Sequence, residues 1–217
     1  MQKQLERAST FKALHVPGRP LILFNIWDVG SAKAVAAGGA KALATGSWSV
    51  AAANGFSDGE RIPLDLCIAN LRRIVDAVDL PVSLDLESGY GADPAAVGKA
   101  FARAVQAGAV GCNIEDSFPE SGSLREAADQ AARLRAARAA ADGLGVPAFL
   151  NARTDVFLRA DPDRHDESMA AATLERGRAY ADAGADGLFV PGVVSERLIG
   201  LLVEGSPLPV NIMAGAA

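Results

Sequence analysis

The chain of 217 residues is poor in cysteine, histidine and aromatic side chains, with two cysteines, two histidines, two tryptophans and two tyrosines. Cys67 and Cys112 show neither metal-site spacing nor a disulfide framework, which is typical of a reduced, cytoplasmic setting. His15 and His165 lie in polar segments away from the predicted strand ends. Cysteine-based metal sites, disulfide scaffolds and histidine acid–base chemistry are therefore not expected.

Long apolar runs and blocks of one charge are missing as well. No segment reaches the roughly 20 apolar residues that a membrane-spanning helix needs, and residues 1–15 lack the apolar core of a signal peptide. The formal net charge is -5, with acidic and basic residues interleaved. We therefore expect neither nucleic acid nor a membrane as a partner.

What the chain does contain is a repeated unit that ends an alanine-rich stretch with glycine and then enters a short apolar run. It reads "AGGAKALATGS" at 37–47, "AGAVGCNIEDS" at 107–117 and "AGADGLFVPG" at 183–192. Glycine suits a left-handed helix cap, and the apolar run suits a strand buried on both faces. The pattern predicts strands near Leu21–Ile26, Ala42–Gly46, Val82–Leu86, Gly111–Ile114, Ala148–Ala152, Gly187–Val190 and Val210–Met213.

Strict alternation of such strands with amphipathic helices predicts a parallel sheet. Because no linker or low-complexity segment divides the chain, we expect one α/β domain over 1–217, a TIM barrel of the (β/α)8 type. Barrels of this kind close with eight strands over roughly 250 residues, whereas seven strands can be found here. The final strand and helix are therefore expected to be lacking, or the barrel to be closed by a partner.

In such a barrel the active site lies at the carboxyl ends of the strands. Polar residues gather there, and strand alternation predicts that 85 and 87, 113 and 115, and 151, 153 and 155 each point to one side. These strand-end residues are Thr45, Gly46, Ser47, Trp48, Asp85, Glu87, Asn113, Glu115, Asp116, Asn151, Arg153, Asp155 and Asn211.

Asp85, Glu87 and Glu115 form a candidate cluster of three carboxylates. Mg²⁺ commonly uses one or two carboxylates together with water and substrate oxygens, which suits an open rim. The alternative is an ordinary set of rim salt bridges to Arg153. The planar guanidinium of Arg153 could instead bind a carboxylate or phosphoryl group of a substrate. The pattern by itself leaves these readings open.

Two loops carry weaker signals. The turn "TGSWS" at 45–49 offers backbone N–H groups and hydroxyls after a glycine, which suits an anion but also fits a plain turn between strand and helix. Asp58 lies in the glycine-bounded loop "NGFSDGERIP", where aspartate is most often a turn former or helix cap. Neither loop identifies a function without its neighbours.

Taken together, five segments resemble the isocitrate lyase / phosphoenolpyruvate mutase superfamily in order and spacing. They are "FNIWDVGSAK", "ALATGSWSVAAANGFSDGE", "LDLESGYG", "NIEDS" and "NARTD". The resemblance covers nearly the whole chain. It implies a Mg²⁺-dependent barrel that makes or breaks C–C or C–P bonds next to a 2-oxo acid through an enolate.

Residue by residue, the resemblance implies that Asp85, Glu87 and Glu115 hold Mg²⁺ directly or through water. It implies that Asp58 and Arg153 belong to the catalytic machinery, Asp58 on a loop closing over the metal side and Arg153 on the far anionic group. The 2-oxo acid carboxylate would be received by the turn after the second strand. The substrate-binding set is Thr45, Gly46, Ser47, Trp48, Arg153 and Asn211.

The loop after the fourth strand departs from the family. Isocitrate and methylisocitrate lyases carry a Lys-Lys-Cys-Gly-His segment there, and the C–P branch carries Lys and Asn, whereas this chain has Glu120 and Gly122 in "EDSFPESGSLRE". We expect a lyase-type enzyme that cleaves a C–C bond in a small 2-oxo or 2-hydroxy acid, as in oxaloacetate decarboxylation or acylpyruvate cleavage. The alternatives are a C–P enzyme and a degenerate barrel that binds a dicarboxylate. A homo-oligomer is expected.

Overall fold

The computed structural model describes residues 1–213, in which helices and parallel strands alternate. The predicted domain 1–217 thus extends slightly beyond the described range. The helices are α1 (Gln2–Ala13), α2 (Val29–Ala37), α3 (Ser47–Ala53), α4 (Leu64–Ala77), α5 (Pro94–Gln106), α6 (Ala127–Gly143), α7 (Glu167–Asp182) and α8 (Glu196–Gly205), with a 3₁₀ turn at Pro162–Arg164. The strands are β1 (Asn25–Ile26), β2 (Leu43–Thr45), β3 (Val82–Asp85), β4 (Gly111–Glu115), β5 (Phe149–Arg153), β6 (Gly187–Val190) and β7 (Val210–Ile212).

Within residues 1–213 the strands form a seven-stranded sheet in the order β1 to β7, and every neighbouring pair is parallel. Each connection between neighbouring strands contains at least one helix, as parallel pairing requires. The sheet curls in the manner of a TIM barrel, so the predicted fold class is confirmed. β1 and β7 are the two ends of this sheet in the described range.

The core lies on both faces of the sheet, which explains why the strands read as continuous apolar runs. Cys67 and Cys112 are both buried in it, as predicted. Small residues let the helices approach closely: a Cβ on Gly98 of α5 would lie 3.0 Å from the Ala136 carbonyl oxygen of α6. None of the helices within 1–213 is long and apolar enough to cross a membrane.

The first strand is shorter than predicted. The pattern indicated a strand over Leu21–Ile26, but only Asn25 and Ile26 pair with β2. Ile22 and Phe24 are 68% and 61% exposed. An apolar alternation predicts burial only where a second layer is present to cover it, and at this edge the described chain supplies no such layer.

α1 covers the end of the sheet at which the strands begin, opposite their carboxyl ends. The imidazole of His15 stacks on the ring of Phe149, the first residue of β5, with centroids 4.2 Å apart. Phe11 packs edge-on against both rings. Burial lowers the pKa of His15. This histidine is therefore a packing residue at the end of the sheet remote from the predicted rim.

Gly187 of β6 offers a test of the packing inside the sheet. A Cβ there would lie 2.6 Å from Asn151 Oδ1 and 2.9 Å from the Phe149 ring. We expect Gly187→Ala to lower the free energy of unfolding by about 1–3 kcal/mol, because a packed interior must shift to accept a methyl group. Urea denaturation followed by circular dichroism measures this change.

Gly200 in α8 is the matched control, since a Cβ there meets no heavy atom within 4 Å. Gly200→Ala is expected to stabilise the protein by about 0.5–1 kcal/mol through the lower entropy of the unfolded chain. Equal effects of the two substitutions would contradict the packing described for Gly187.

Candidate active site

The carboxyl ends of three neighbouring strands bring acidic and basic side chains to one edge of the sheet. Asp85 ends β3, Glu115 ends β4 and Arg153 ends β5. The strand register pairs Asp85 with Asn113 and Glu115 with Arg153. The structure thus places these strand ends side by side at the carboxyl edge of the sheet, as predicted, and we call this edge the rim.

Asp85 is held by the turn between β2 and α3. Its N–H donates to Thr45 Oγ1 over 2.9 Å, and Ser47 N–H donates to Asp85 Oδ2 over 3.1 Å. Among the described residues Asp85 forms no salt bridge, unlike Glu115. Thr45 therefore holds the backbone of Asp85, while the N–H groups of Ser47 and, over 3.3 Å, Glu87 orient a carboxylate that has no basic partner.

Glu87 does not continue the predicted strand alternation. β3 ends at Asp85, and Glu87 takes a left-handed backbone conformation with φ of 51°. Its buried carboxylate accepts from Gly59 N–H over 2.9 Å, from the N–H of Glu60, and from Tyr90 Oη over 2.7 Å. Strand alternation therefore does not explain its position, which these donors fix instead.

Glu115 and Arg153 form the centre of the rim. Arg153 Nη1 lies 2.9 Å from Glu115 Oε2, and Arg153 Nε and Nη2 donate to Asp155 over 2.6 and 3.2 Å. Asp155 is fully buried and accepts a further bond of 2.7 Å from Ser117 Oγ. The salt-bridge alternative left open by the sequence is thus realised for Glu115, and the guanidinium is held in one plane.

The rim carries more buried negative charge than its basic residues offset. Burial raises the pKa of Glu115 to about 8; Arg153 lowers it, while Asp155, Asp85 and Glu87 raise it. Burial also raises the pKa of Glu87 to about 7 against the hydrogen bonds from Tyr90 and Glu60, with Asp58 and Asp85 adding repulsion. Like charges at short range disfavour ionisation, so an added cation would be attracted here.

The metal expectation can be tested against this geometry. Within residues 1–213, no three His, Cys, Asp or Glu side chains are grouped closely enough to enclose a metal ion. Mg²⁺ keeps several waters and commonly uses one or two carboxylates. Mutually repelling carboxylates beside the unpaired Asp85 fit a hydrated Mg²⁺ of that kind, and they do not fit a closed metal cage.

The predicted substrate-binding residues are spread over the rim. Gly46 precedes α3 and packs against Asn25, whose Nδ2 would lie 2.7 Å from a Cβ at this position. Trp48, one residue into that helix, is 71% exposed. On the other side, Asn211 Nδ2 donates to Asn151 Oδ1 over 3.2 Å, and Asn151 Nδ2 donates to Asn113 Oδ1 over 2.8 Å.

Two loops border these residues. Asp58 is exposed in the loop 55–62, whose Gly59 N–H reaches Glu87. The loop 117–124 is folded on itself: Ser117 and Leu124 form an antiparallel bridge. Phe118 N–H donates to the Ser123 carbonyl oxygen over 2.9 Å, and Arg125 lies 3.9 Å above the Phe118 ring centroid.

Sequence reasoning did not find the residues behind the rim. Asp116 is fully buried and accepts from Asp155 N–H, Tyr180 Oη and Arg176 Nη1 over 3.0, 2.7 and 3.1 Å. Asp116 was noted only as a strand-end residue, and α7 supplies Tyr180 and Arg176 from a distant segment. The one available signal is that Arg176 and Tyr180 are four residues apart and so lie on the same face of α7.

Parallel strands alternating with helices, and a charged rim at their carboxyl ends, define an α/β protein of the TIM-barrel type. The chain belongs to the phosphoenolpyruvate phosphomutase family, whose profile matches residues 11–217. The resemblance to the isocitrate lyase / phosphoenolpyruvate mutase superfamily is thereby confirmed.

Relatives span several activities. A solved structure from Burkholderia cenocepacia J2315, provisionally described as a phosphonomutase, is 59% identical, covers 97% of this chain and 85% of its own, and superposes with a TM-score of 0.95. An uncharacterised Mycobacterium tuberculosis protein (strain H37Rv) is 36% identical over 94% of this chain and 73% of its own length. The 2-methylisocitrate lyase of Escherichia coli K12 is 27% identical over 91% and 70%.

Other members are a phosphoenolpyruvate phosphomutase from Streptomyces hygroscopicus, 32% identical over 82% of this chain and 56% of its own, and an oxaloacetate decarboxylase from Bradyrhizobium sp., 30% identical over 79% and 57%. The superfamily thus consists of lyases and mutases that act on small organic acids.

Asp155 provides a test of the charge network. We expect Asp155→Asn to lower the free energy of unfolding by about 1.5–3 kcal/mol, since buried hydrogen bonds to a charged acceptor are lost while Arg153 keeps Glu115 as its partner. Asp163→Asn, at an exposed position of the 3₁₀ turn, should change it by less than about 0.5 kcal/mol. Thermal and urea denaturation measure both; a mild effect at Asp155 would contradict the network.

Proposed function

We propose that the protein is a Mg²⁺-dependent lyase that cleaves a C–C bond in a small 2-oxo or 2-hydroxy acid through an enolate. One observation carries the proposal: the rim joins repelling carboxylates to a rigidly held arginine, and among the described residues Asp85 and Glu87 have no basic partner. Such a site has a place for a divalent cation at one end and for an anionic group at the other. The family's small-acid chemistry is consistent with it.

In this proposal Asp85, Glu87 and Glu115 would hold the metal ion, directly or through water. When bound, Mg²⁺ would polarise the 2-oxo and carboxylate oxygens of the acid and so lower the cost of negative charge developing there. Thr45 and Ser47 contribute by orienting Asp85. Thr45 and Ser47, together with Gly46, also bind the carboxylate of the acid.

Arg153 binds the far anionic group. A guanidinium has five N–H groups in a planar fork. The contacts to Asp155 and Glu115 involve the N–H of Nε and one N–H each of Nη1 and Nη2. The remaining N–H groups suit bidentate recognition of a carboxylate or a phosphonate. Because the buried Asp155 fixes the plane, Arg153 orients the substrate with little loss of side-chain entropy.

Asp58 belongs to the loop on the metal side, where its charge already acts on Glu87. Trp48 and Asn211 complete the proposed substrate site from opposite sides of the rim. The loop 117–124 offers no Lys, Cys or His for proton transfer. A reaction that releases an enolate without a dedicated acid in this loop, such as oxaloacetate decarboxylation or acylpyruvate cleavage, suits it best.

C–P chemistry is the second candidate, because the relative at 59% identity is described as a phosphonomutase. The loop 117–124 lacks both the Lys and Asn of the C–P branch and the Lys-Lys-Cys-Gly-His segment of the lyases. We prefer C–C cleavage because release of an enolate needs no acid from this loop. We further propose a single domain that works in the cytoplasm as a homo-oligomer. The exposed Ile22 and Phe24 beside the sheet edge support self-association.

The metal site is tested by calorimetric titration of oxalate, a mimic of the pyruvate enolate, with Mg²⁺ and with EDTA. We expect binding only with Mg²⁺. Asp85→Ala should weaken it at least about tenfold, equivalent to about 1.4 kcal/mol, while Asp65→Ala, which removes an exposed carboxylate of α4, leaves it unchanged. Oxalate binding that ignores both Mg²⁺ and Asp85→Ala would refute the site.

The reaction is tested by steady-state assays with oxaloacetate, 2-methylisocitrate and phosphonopyruvate, each with and without Mg²⁺. We expect turnover of a C–C substrate that EDTA abolishes. Turnover of phosphonopyruvate alone would overturn the preference for C–C cleavage. Metal-dependent oxalate binding without turnover of any 2-oxo acid would instead identify a degenerate barrel.

A further inference from the structure

Three strained residues meet at one contact on the metal side of the rim. Within 1–213, the non-glycine residues with positive φ are Glu60, Glu87 and Tyr90, at 58°, 51° and 51°. Glu60 lies in the loop 55–62, and the other two lie in the turn 87–91 that follows β3. Left-handed backbone is costly for residues with a Cβ, and it persists only where surrounding contacts enforce it.

The contacts that enforce it are reciprocal. Glu60 N–H donates to Glu87 Oε2, while Glu60 Oε1 accepts from Tyr90 N–H and from Ser88 Oγ, both over 2.7 Å. Each segment thus uses a glutamate to bind the backbone of the other. Tyr90 Oη adds a bond to Glu87 Oε1, and burial raises the pKa of Tyr90, which keeps the phenol as a donor.

The far side of the turn is fixed by α6. Arg133 is fully buried and its Nη2 donates to the carbonyl oxygens of Ser88 and Gly91 over 2.7 and 3.0 Å. Gly91 has no spare room, since a Cβ there would lie 2.7 Å from Val97 N. The turn 87–91 is therefore anchored to the barrel by Arg133, and Glu60 joins the loop 55–62 to that anchor.

We propose that Glu60 is a positioning residue: its carboxylate locks the loop 55–62 onto the turn 87–91, so that Asp58 and Glu87 are placed together. The proposal rests on the proposed function for its effect on binding, but the lock itself is a property of the fold. The Glu60 carboxylate contacts Ser88 Oγ and Tyr90 N–H, and Glu60 is not among the residues proposed to hold the metal or the acid. It acts through the backbone on either side of it.

The test compares three variants. Glu60→Ala removes the acceptor of two hydrogen bonds, and Glu60→Gln keeps a side-chain oxygen at the same place. Asp166→Ala is the matched control, because Asp166 also accepts from one backbone N–H and one serine hydroxyl, those of Met169 and Ser168 at the start of α7.

Amide hydrogen exchange of the metal-free protein is the first readout. For Glu60→Ala we expect exchange about tenfold faster in both 57–62 and 87–91, in keeping with the loss of hydrogen bonds to a charged acceptor. Glu60→Gln should stay close to the wild type. Asp166→Ala should speed exchange only at the start of α7.

Mg²⁺-dependent oxalate binding is the second readout. We expect about tenfold weaker binding for Glu60→Ala, near wild-type binding for Glu60→Gln, and no change for Asp166→Ala, although its thermal midpoint falls. Unchanged exchange in 87–91 for Glu60→Ala, or faster exchange with unchanged binding, would overturn the proposal. If the wild type binds no oxalate, the proposed function fails, and the exchange data alone decide whether Glu60 locks the two segments.

Discussion

The burial of like-charged carboxylates at the carboxyl edge of a parallel sheet is the constraint on which the rest of the site depends. Glu87, Glu115, Asp116 and Asp155 are all buried within a few residues of strand ends. Uncompensated burial of each would cost several kcal/mol. The structure offsets this cost with Arg153 for Glu115 and Asp155, with Tyr180 and Arg176 for Asp116, and with backbone N–H groups for Glu87.

Apart from Arg153 at the end of β5, these compensating groups come from outside the strands, which links the site to the whole fold. α7 supplies the partners of Asp116, and Asp116 in turn accepts from the N–H of Asp155. The loop 55–62 supplies the donors of Glu87. The Asp85 carboxylate accepts only the N–H groups of Ser47 and Glu87 among the described residues, and like Glu87 it has no basic partner there. Unlike Glu87, it accepts no side-chain hydroxyl. It is the carboxylate best suited to an external cation.

The sequence predicts those parts of this arrangement that follow from local periodicity. Buried strands and glycine caps place Glu115 beside Arg153, and the register confirms that pairing. Glu87 was assigned to the right edge for the wrong reason, because alternation ends where its backbone turns left-handed at φ of 51°. Glu60, Tyr180 and Arg176 could not be found, since contacts across 27 to 64 residues depend on tertiary packing that periodicity does not encode. For Ile22 and Phe24 the apolar pattern predicted a buried strand, but both side chains are exposed because no layer of the described chain covers them.

Because Gly187 of β6 has no side chain, the side-chain amide of Asn151 on β5 can reach across β6. Asn151 of β5 would collide with any Cβ on β6 at this position, and it instead reaches Asn211 of β7 over 3.2 Å. Two strands that share no backbone hydrogen bond are thereby connected through a gap in the strand between them. A displacement of β7 would therefore move Asn151 and, through it, Asn113 of β4. These side chains couple the strands across the sheet in addition to the backbone hydrogen bonds.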